Sequence, residues 1–210
     1  MPDIEGCNLF MCCKALDKNA LSEIPEGFTI RPCRKEELDI WYGFPFDHEP
    51  EKYRDYMQQY FADVYQPREA EFFRKCLFLC DQNDTPVGTC FAWKAYGSVT
   101  TIHWYKIRKE YEGHGLGRAL LSAVMKEIPE EDYPVYLHTQ PGSYRAIKLY
   151  TDFGFALLTD QQVGFRENEL EIGLPYLKEK MPEADFARLR FESAPKDFLQ
   201  AVKSSPVSQF

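Results

Sequence analysis

The 210-residue chain has no surplus of positive charge, no apolar run approaching a membrane span and no CxxC pair. Each lack excludes a class. Lys and Arg total 25 against 33 Asp and Glu, a formal net charge of −8. Nucleic acid is therefore not an expected partner, because affinity there rests on a basic surface. The start, Met1-Pro2-Asp3-Ile4-Glu5, has no basic region, and only a brief apolar stretch follows at Leu9–Cys13. That is not a signal peptide, so the expectation is a cytoplasmic protein that does not engage a membrane. The seven cysteines are odd in number, which favours reduced thiols over a disulfide frame. Cys7, Cys12 and Cys13 cluster in sequence, but nearby His or further Cys ligands are missing, so no metal is expected.

Aromatic residues are plentiful, at 16 Phe, 13 Tyr and 3 Trp. They suit large flat contacts in a core or a pocket without choosing between them. Met1–Gly27 has weak periodicity and reads as an N-terminal arm. Phe28–Pro32 alternates as a short strand, and Arg34–Trp41 and Glu49–Tyr65 carry helical spacing on either side of the turn-rich GFPFDHEP. Strands follow at Cys76–Cys80, Val87–Ala95 and Val99–Ile107, separated by turns at Asp81–Pro86 and Gly97-Ser98. Leu116–Ile128 is an amphipathic helix with Leu116, Leu120, Val124 and Ile128 on one stripe. Val135–Thr139 is a strand, Ser143–Asp152 a helix and Phe153–Leu158 the start of another strand. A meander followed by alternating strands and helices implies an α/β fold built on a mixed sheet. Beyond about Thr159 the pattern weakens, and Ser193–Phe210 is expected to fray. The reading divides into an arm (1–27), a core (28–158) and a C-terminal extension (159–210).

The most informative residues are Glu112-Gly113-His114-Gly115-Leu116-Gly117-Arg118. Three glycines at alternate positions leave a strand and open a helix. Glycine lets a backbone approach a ligand without a Cβ in the way, and unpaired amides at the helix start face an anion. A phosphate or pyrophosphate is the favoured ligand, with Arg118 as an added cation or, alternatively, paired with Glu110 or Glu127. A nucleotide P-loop would need Gly-Lys-Ser/Thr, where this chain has Gly117-Arg118-Ala119. A dinucleotide fingerprint would need GxGxxG and an acidic residue ending the next strand, which here ends Leu137-His138-Thr139. A purely structural turn stays open.

The segment resembles the coenzyme-binding motif of the GNAT superfamily of acyl-CoA N-acyltransferases, Gln/Arg-x-x-Gly-x-Gly/Ala, read here as Glu112-x-x-Gly115-x-Gly117. Downstream, Leu149-Tyr150-Thr151-Asp152-Phe153-Gly154-Phe155 matches that family's leucine-tyrosine-x-x-x-glycine-phenylalanine pattern. The resemblance runs over 28–158 by order of elements and is specific over 107–155. It implies the GNAT fold, a mostly antiparallel mixed sheet flanked by helices in one domain with extensions at both ends. It also implies acetyl-CoA as co-substrate and transfer of its acyl group to a primary amine, carried by a small molecule or a peptide. Homodimers are common in the family.

The same resemblance implies site residues. Ile107, Glu112, Gly113, His114, Gly115, Leu116, Gly117, Arg118, Ser143 and Ala146 would bind coenzyme, with the Ile107 amide as oxyanion donor. Glu112 and Ser143 depart from the family's usual Gln/Arg and Asn. A carboxylate at Glu112 would repel a pyrophosphate unless turned away, and Ser143 is a competent N-cap. Tyr150 stands where the family's tyrosine protonates the leaving thiolate. Strand alternation puts Thr101, His103, Tyr105 and Ile107 on one face, making His103 a candidate general base with a pKa near operating pH. A bulge would break that parity. His138 is the second candidate. The acidic, aromatic stretch Trp41, Phe44, Phe46, Asp47 and Glu49 could bind an amine. Two rival classes stay open, an acyl-CoA-binding sensor or scaffold without turnover and an interaction protein built on the aromatic helix.

Overall fold

A computed structural model describes residues 4–205 and 207–210; the first three residues of the expected arm and Pro206 lie outside the described residues. The strands are β1 Leu9–Cys13, β2 Thr29–Pro32, β3 Leu77–Cys80, β4 Pro86–Ala95, β5 Val99–Ile107, β6 Val135–Thr139, β7 Ala156–Leu158, β8 Gln162–Val163, β9 Arg166–Glu167 and β10 Phe191–Glu192. The helices are α1 Leu38–Tyr42, α2 Pro50–Val64, α3 Glu69–Lys75, α4 Leu116–Lys126, α5 Tyr144–Asp152, α6 Leu170–Lys180, α7 Glu183–Phe186 and α8 Lys196–Lys203. Eight strands form one sheet in the order β10-β7-β1-β6-β5-β4-β3-β2, and β8 and β9 form a separate hairpin. Pairing is parallel at β5·β6 and at β7·β10, and antiparallel at the other neighbours.

The expected arm is different in kind. Leu9–Cys13 lies inside the sheet, pairing β6 on one side and β7 on the other. All five of its residues are buried. Leu9, Met11 and Cys13 join one apolar cluster, while Phe10 and Cys12 join another on the opposite face. A strand covered on both faces reads as an unbroken apolar run with no alternation to reveal it. The extension is also structured. β10 adds to β7 at the sheet edge. In the segment expected to fray, α8 buries Phe198 and Val202, with Phe198 stacked on Tyr136 at 3.8 Å between ring centroids.

Two layers cover the sheet around β4 and β5. On one face α4 and α5 bury Leu116, Leu120, Val124, Ile147 and Tyr150. On the other, α1 to α3 pack an aromatic cluster centred on Trp41, whose ring meets Phe61, Tyr65, Phe72 and Trp104 edge-on at 5.0–6.3 Å. Met57, Phe61 and Val64 supply the buried stripe of α2. All seven cysteines are buried, with no disulfide among the described residues. Burial pushes the thiols of Cys12, Cys13, Cys76, Cys80 and Cys90 up, Cys80 to about 11 and Cys13 to about 12, so these five are poor nucleophiles and poor ligands. Among the described residues no group of three or more His, Cys, Asp or Glu is placed to hold a metal, and no helix is long and apolar enough to cross a membrane.

Candidate active site

The site begins with a parting of strands. β5 and β6 pair only at Thr100 with Val135 and Thr101 with Tyr136. Beyond those pairs β5 continues to Ile107 and β6 to Thr139, and a cavity of about 670 Å³ opens there, lined from β5 by Ile102 to Lys106 and from β6 by Leu137 to Thr139. Tyr150, His103 and His138, the three expected catalytic residues, all border it. A second cavity of about 400 Å³ lies under the glycine loop. Tyr105, Lys106, Ser143 and Ala146 line both, so the two adjoin along one strand edge.

The expected parity of β5 fails at a bulge. Phe91 faces His103 and Thr89 faces Lys106, so β5 carries one residue more than β4 between these pairs. Trp104 takes φ +49°, a region unfavourable to a bulky side chain. In consequence His103 and Trp104 both turn to the aromatic cluster, while Tyr105 and Ile107 join Ile102 on the α4–α5 face. His103 is 3% exposed, and its Nδ1 meets the Tyr65 hydroxyl, which also accepts from Trp104 Nε1 at 2.9 Å. Its buried Nε2 has no protein partner. Burial, with Arg68 nearby, pushes the His103 pKa down to about 3 rather than near operating pH.

His138 has its ring orientation fixed by its partners. Its Nε2 lies 2.9 Å from Asn8 Oδ1, and Asn8 Nδ2 donates to Glu169 Oε2 at 3.2 Å. The carboxylate fixes which end of the amide faces the ring, so Nε2 is the donor and Nδ1 of the neutral ring keeps its lone pair. Burial and Arg166 push the His138 pKa to about 3 as well. Tyr150 is buried beside Tyr105, with ring centroids 5.7 Å apart. Burial holds its phenol well above the ordinary value, in the protonated form.

The glycine loop divides the expected coenzyme residues. Ile107, Glu112, Gly113, Gly117, Ser143 and Ala146 line the smaller cavity. Gly113 and Gly115 take φ +82° and +77°, and a Cβ on either would meet nothing within 4 Å. Gly115 is the N-cap of α4. Open space over left-handed glycines at a helix start fits a pyrophosphate held by main-chain amides. Leu116 buries its side chain in the core, and His114 is exposed. Arg118 faces neither Glu110 nor Glu127. Its guanidinium donates to Asp152 Oδ2 at 2.5 Å and to the Ala20 carbonyl at 3.0 Å. Glu112 accepts from Arg145 Nη1 at 3.2 Å, which answers its charge within the protein. Ser143 makes no side-chain cap hydrogen bond.

The acidic, aromatic stretch does not form an open amine site. Trp41 and Phe44 are buried in the aromatic cluster. Asp47 pairs with Lys106 at 2.8 Å and Glu49 with Lys52 at 2.8 Å, leaving Phe46 on the cavity wall.

Residues 35–155, more than half of the chain, match the model of the acetyltransferase (GNAT) family. The chain belongs to that family. No curated protein matches it by sequence. Among solved structures it is similar to a GCN5-related N-acetyltransferase from Sphaerobacter thermophilus, at 18% identity and TM-score 0.52 over 71% of this chain and 48% of that one. A GNAT-family acetyltransferase from Colwellia psychrerythraea gives 12% identity and TM-score 0.53 over 71% and 52%. A tandem GNAT protein from the clavulanic acid biosynthesis pathway gives 14% and 0.52 over 73% and 50%. The chain thus spans about half the length of each of these structures, and at such identities the likeness concerns the fold.

Several residues that shape this GNAT site carry no signal in the sequence. Asn8 and Glu169 stand outside the matched region and hold His138 from behind, and Arg166, also outside it, lines the cavity. Tyr65 ends an ordinary aromatic stripe, and its contact with His103 depends on the bulge.

Proposed function

We propose that this GNAT protein transfers an acetyl group from acetyl-CoA to a primary amine by direct attack within a ternary complex. The carrying observation is the pair of adjoining cavities along the freed edge of β5, one beneath an amide-rich helix start and the other bordered by Tyr150, His103 and His138. The coenzyme supplies the acyl group as a thioester. The amides of Gly113 to Gly117 hold its pyrophosphate, and Ile107, Ser143 and Ala146 line the path of its arm. The amine nitrogen bonds to the thioester carbon and the C–S bond breaks. Tyr150 gives its phenolic proton to the departing sulfur, since a protonated phenol stabilises a thiolate as it forms. The proton shed by the amine passes to His138 Nδ1, with Asn8 and Glu169 holding the ring. His103, with its Nδ1 against the Tyr65 hydroxyl, positions the bulge and the neighbouring β5 amides that face the oxyanion.

Titration calorimetry with acetyl-CoA, with NAD as control, tests the first half of this reading. Binding that Gly115→Glu abolishes supports the loop as the coenzyme site. No binding by the unaltered protein would sink it. Retained coenzyme with no amine turned over would favour a coenzyme-binding protein instead.

A further inference from the structure

The cavity that holds Tyr150 is walled by rings. Phe46, Tyr56, Tyr60, Trp104 and Phe210 all line it. Four of them are half-buried, and Tyr56 is 51% exposed. Aromatic surface gathered in one concave place and left uncovered is the mark of a ligand wall rather than of a core.

These rings hold one another in place. Phe46 stacks on Tyr53 at 4.1 Å between centroids and meets Tyr56 and Trp104 edge-on at 5.9 and 6.4 Å. Tyr60 meets Trp104 edge-on at 5.2 Å. The indole of Trp104 is tied further, because its Nε1 donates to the Tyr65 hydroxyl at 2.9 Å. Its backbone carries the φ of +49°. Strain of that kind persists where the surroundings over-determine a residue, and it gathers at ligand sites.

The wall has little else to offer a ligand in the way of charge. No Asp or Glu side chain lines the cavity. Its Lys and its Arg are both occupied. Lys106 pairs with Asp47 at 2.8 Å, and Arg166 donates to the main-chain oxygen of Phe210 and lies over the rings of Phe10 and Phe210. Burial holds His103 and His138 neutral. A second charge on an acceptor, of either sign, would therefore leave water without a partner, which is costly. An aromatic body gives up no such partner and gains edge and face contacts with the wall.

We propose that the acceptor is a primary amine on an aromatic body with no second charge, its ring lying against Phe46, Tyr56, Tyr60 and Trp104. Acetylation of that amine rests on the acyl-transfer reading above, whereas the preference for a ring rests on the wall alone.

The test separates the two. Calorimetry with coenzyme A present measures binding of 2-phenylethylamine, 2-cyclohexylethylamine, 1-aminopropane, phenylalanine and 1,4-diaminobutane. The first should bind about tenfold or more tighter than each of the others. Phe46→Leu should cut its margin over 2-cyclohexylethylamine by about threefold or more, and Tyr56→Ala, at an exposed position that spares the fold, should cut it too. The comparison in unaltered protein stands whether or not Phe46→Leu folds. Equal binding of 2-cyclohexylethylamine would reduce the wall to an apolar surface, and equal binding of 1-aminopropane would mean that the rings grip the ammonium group instead. Equal binding of phenylalanine or 1,4-diaminobutane would reveal a partner for the second charge. Any of these, a margin untouched in both folded variants, or no binding by 2-phenylethylamine overturns the inference. Acetyl transfer is then assayed with the same compounds. Ring-selective binding without transfer would sink the acyl-transfer reading and leave the ring preference standing. Transfer at equal kcat/KM to all five would do the reverse.

Discussion

The phenol of Tyr105 rests against Gly117, with its hydroxyl where a Cβ on that glycine would have to sit and its Cζ 3.3 Å from the same point. Gly117 has no left-handed backbone to explain it, in contrast with Gly113 and Gly115. Its lack of a side chain is accounted for by a residue of β5 rather than by a ligand alone. Gly117→Ala should therefore destabilise the protein by about 1–3 kcal/mol. Adding Tyr105→Phe removes the closest atom and should restore most of the loss, as urea unfolding of the two singles and the double would show. Strict additivity would mean that the contact is not the cause.

Tyr150→Phe keeps the ring in the core and removes only the hydroxyl. Acetyl transfer should fall by about a hundredfold in kcat, the scale of a lost proton donor, with acetyl-CoA affinity changed less than about twofold. Because burial holds the phenol above its ordinary pKa, Tyr150 stays protonated as the pH rises, and kcat should show no alkaline decline below about pH 9. Full activity in the variant would remove Tyr150 from the chemistry.

His103 links the site to acid stability. Its pKa is about 3 in the folded chain, lowered by burial, against an ordinary 6.5. Between those values the unfolded chain binds a proton that the folded chain refuses, so stability is intact above pH 6.5 and lost as pH falls. From pH 6.5 to 4.5 this amounts to roughly 2–3 kcal/mol. His103→Phe should lose stability at neutral pH by removing one of the two hydrogen-bond partners of the buried Tyr65 hydroxyl, yet show a shallower decline in acid. Parallel pH–stability curves for the two proteins would contradict this.

Glu112 and Arg145 are both solvent-exposed, and their bridge is of the weak surface kind. Glu112→Gln should leave thermal stability unchanged, release Arg145 toward the coenzyme's phosphates and tighten acetyl-CoA binding by about two- to fivefold. The gain should fade at high salt. Weaker binding in the variant would show that the carboxylate itself serves the coenzyme.

What was legible in the sequence was local. The α4 stripe, the β4–β5 hairpin and the span of β6 follow from periodicity and turn chemistry, and the structure has them. Sequence reasoning also brought Tyr150, His103 and His138 to one cavity. It failed where tertiary context outweighs pattern. β1 is apolar on both faces and has no period. The bulge at Trp104 moves Tyr105 and Ile107 to the face opposite His103, and nothing in Thr101–Ile107 announces it. Arg118 and Glu112 found partners 34 and 33 residues away, which spacing along one helix or loop cannot reveal. α8 is short and mostly polar, and its two buried residues matter only because Tyr136 and β8 wait for them.

The position of β1 between β6 and β7 sets an order of events for folding. Met11 and Cys12 have partners in Leu157 and Ala156 as well as in β6, so the strand cannot be completed until nearly three quarters of the chain is available to it. Such distant pairing slows folding and leaves an adhesive apolar segment exposed in the meantime. It also means that the region matched to the family, 35–155, is not a unit that could be cut out. Without Leu9–Cys13 the sheet would divide into two parts, with the unpaired edges of β6 and β7 facing an empty slot.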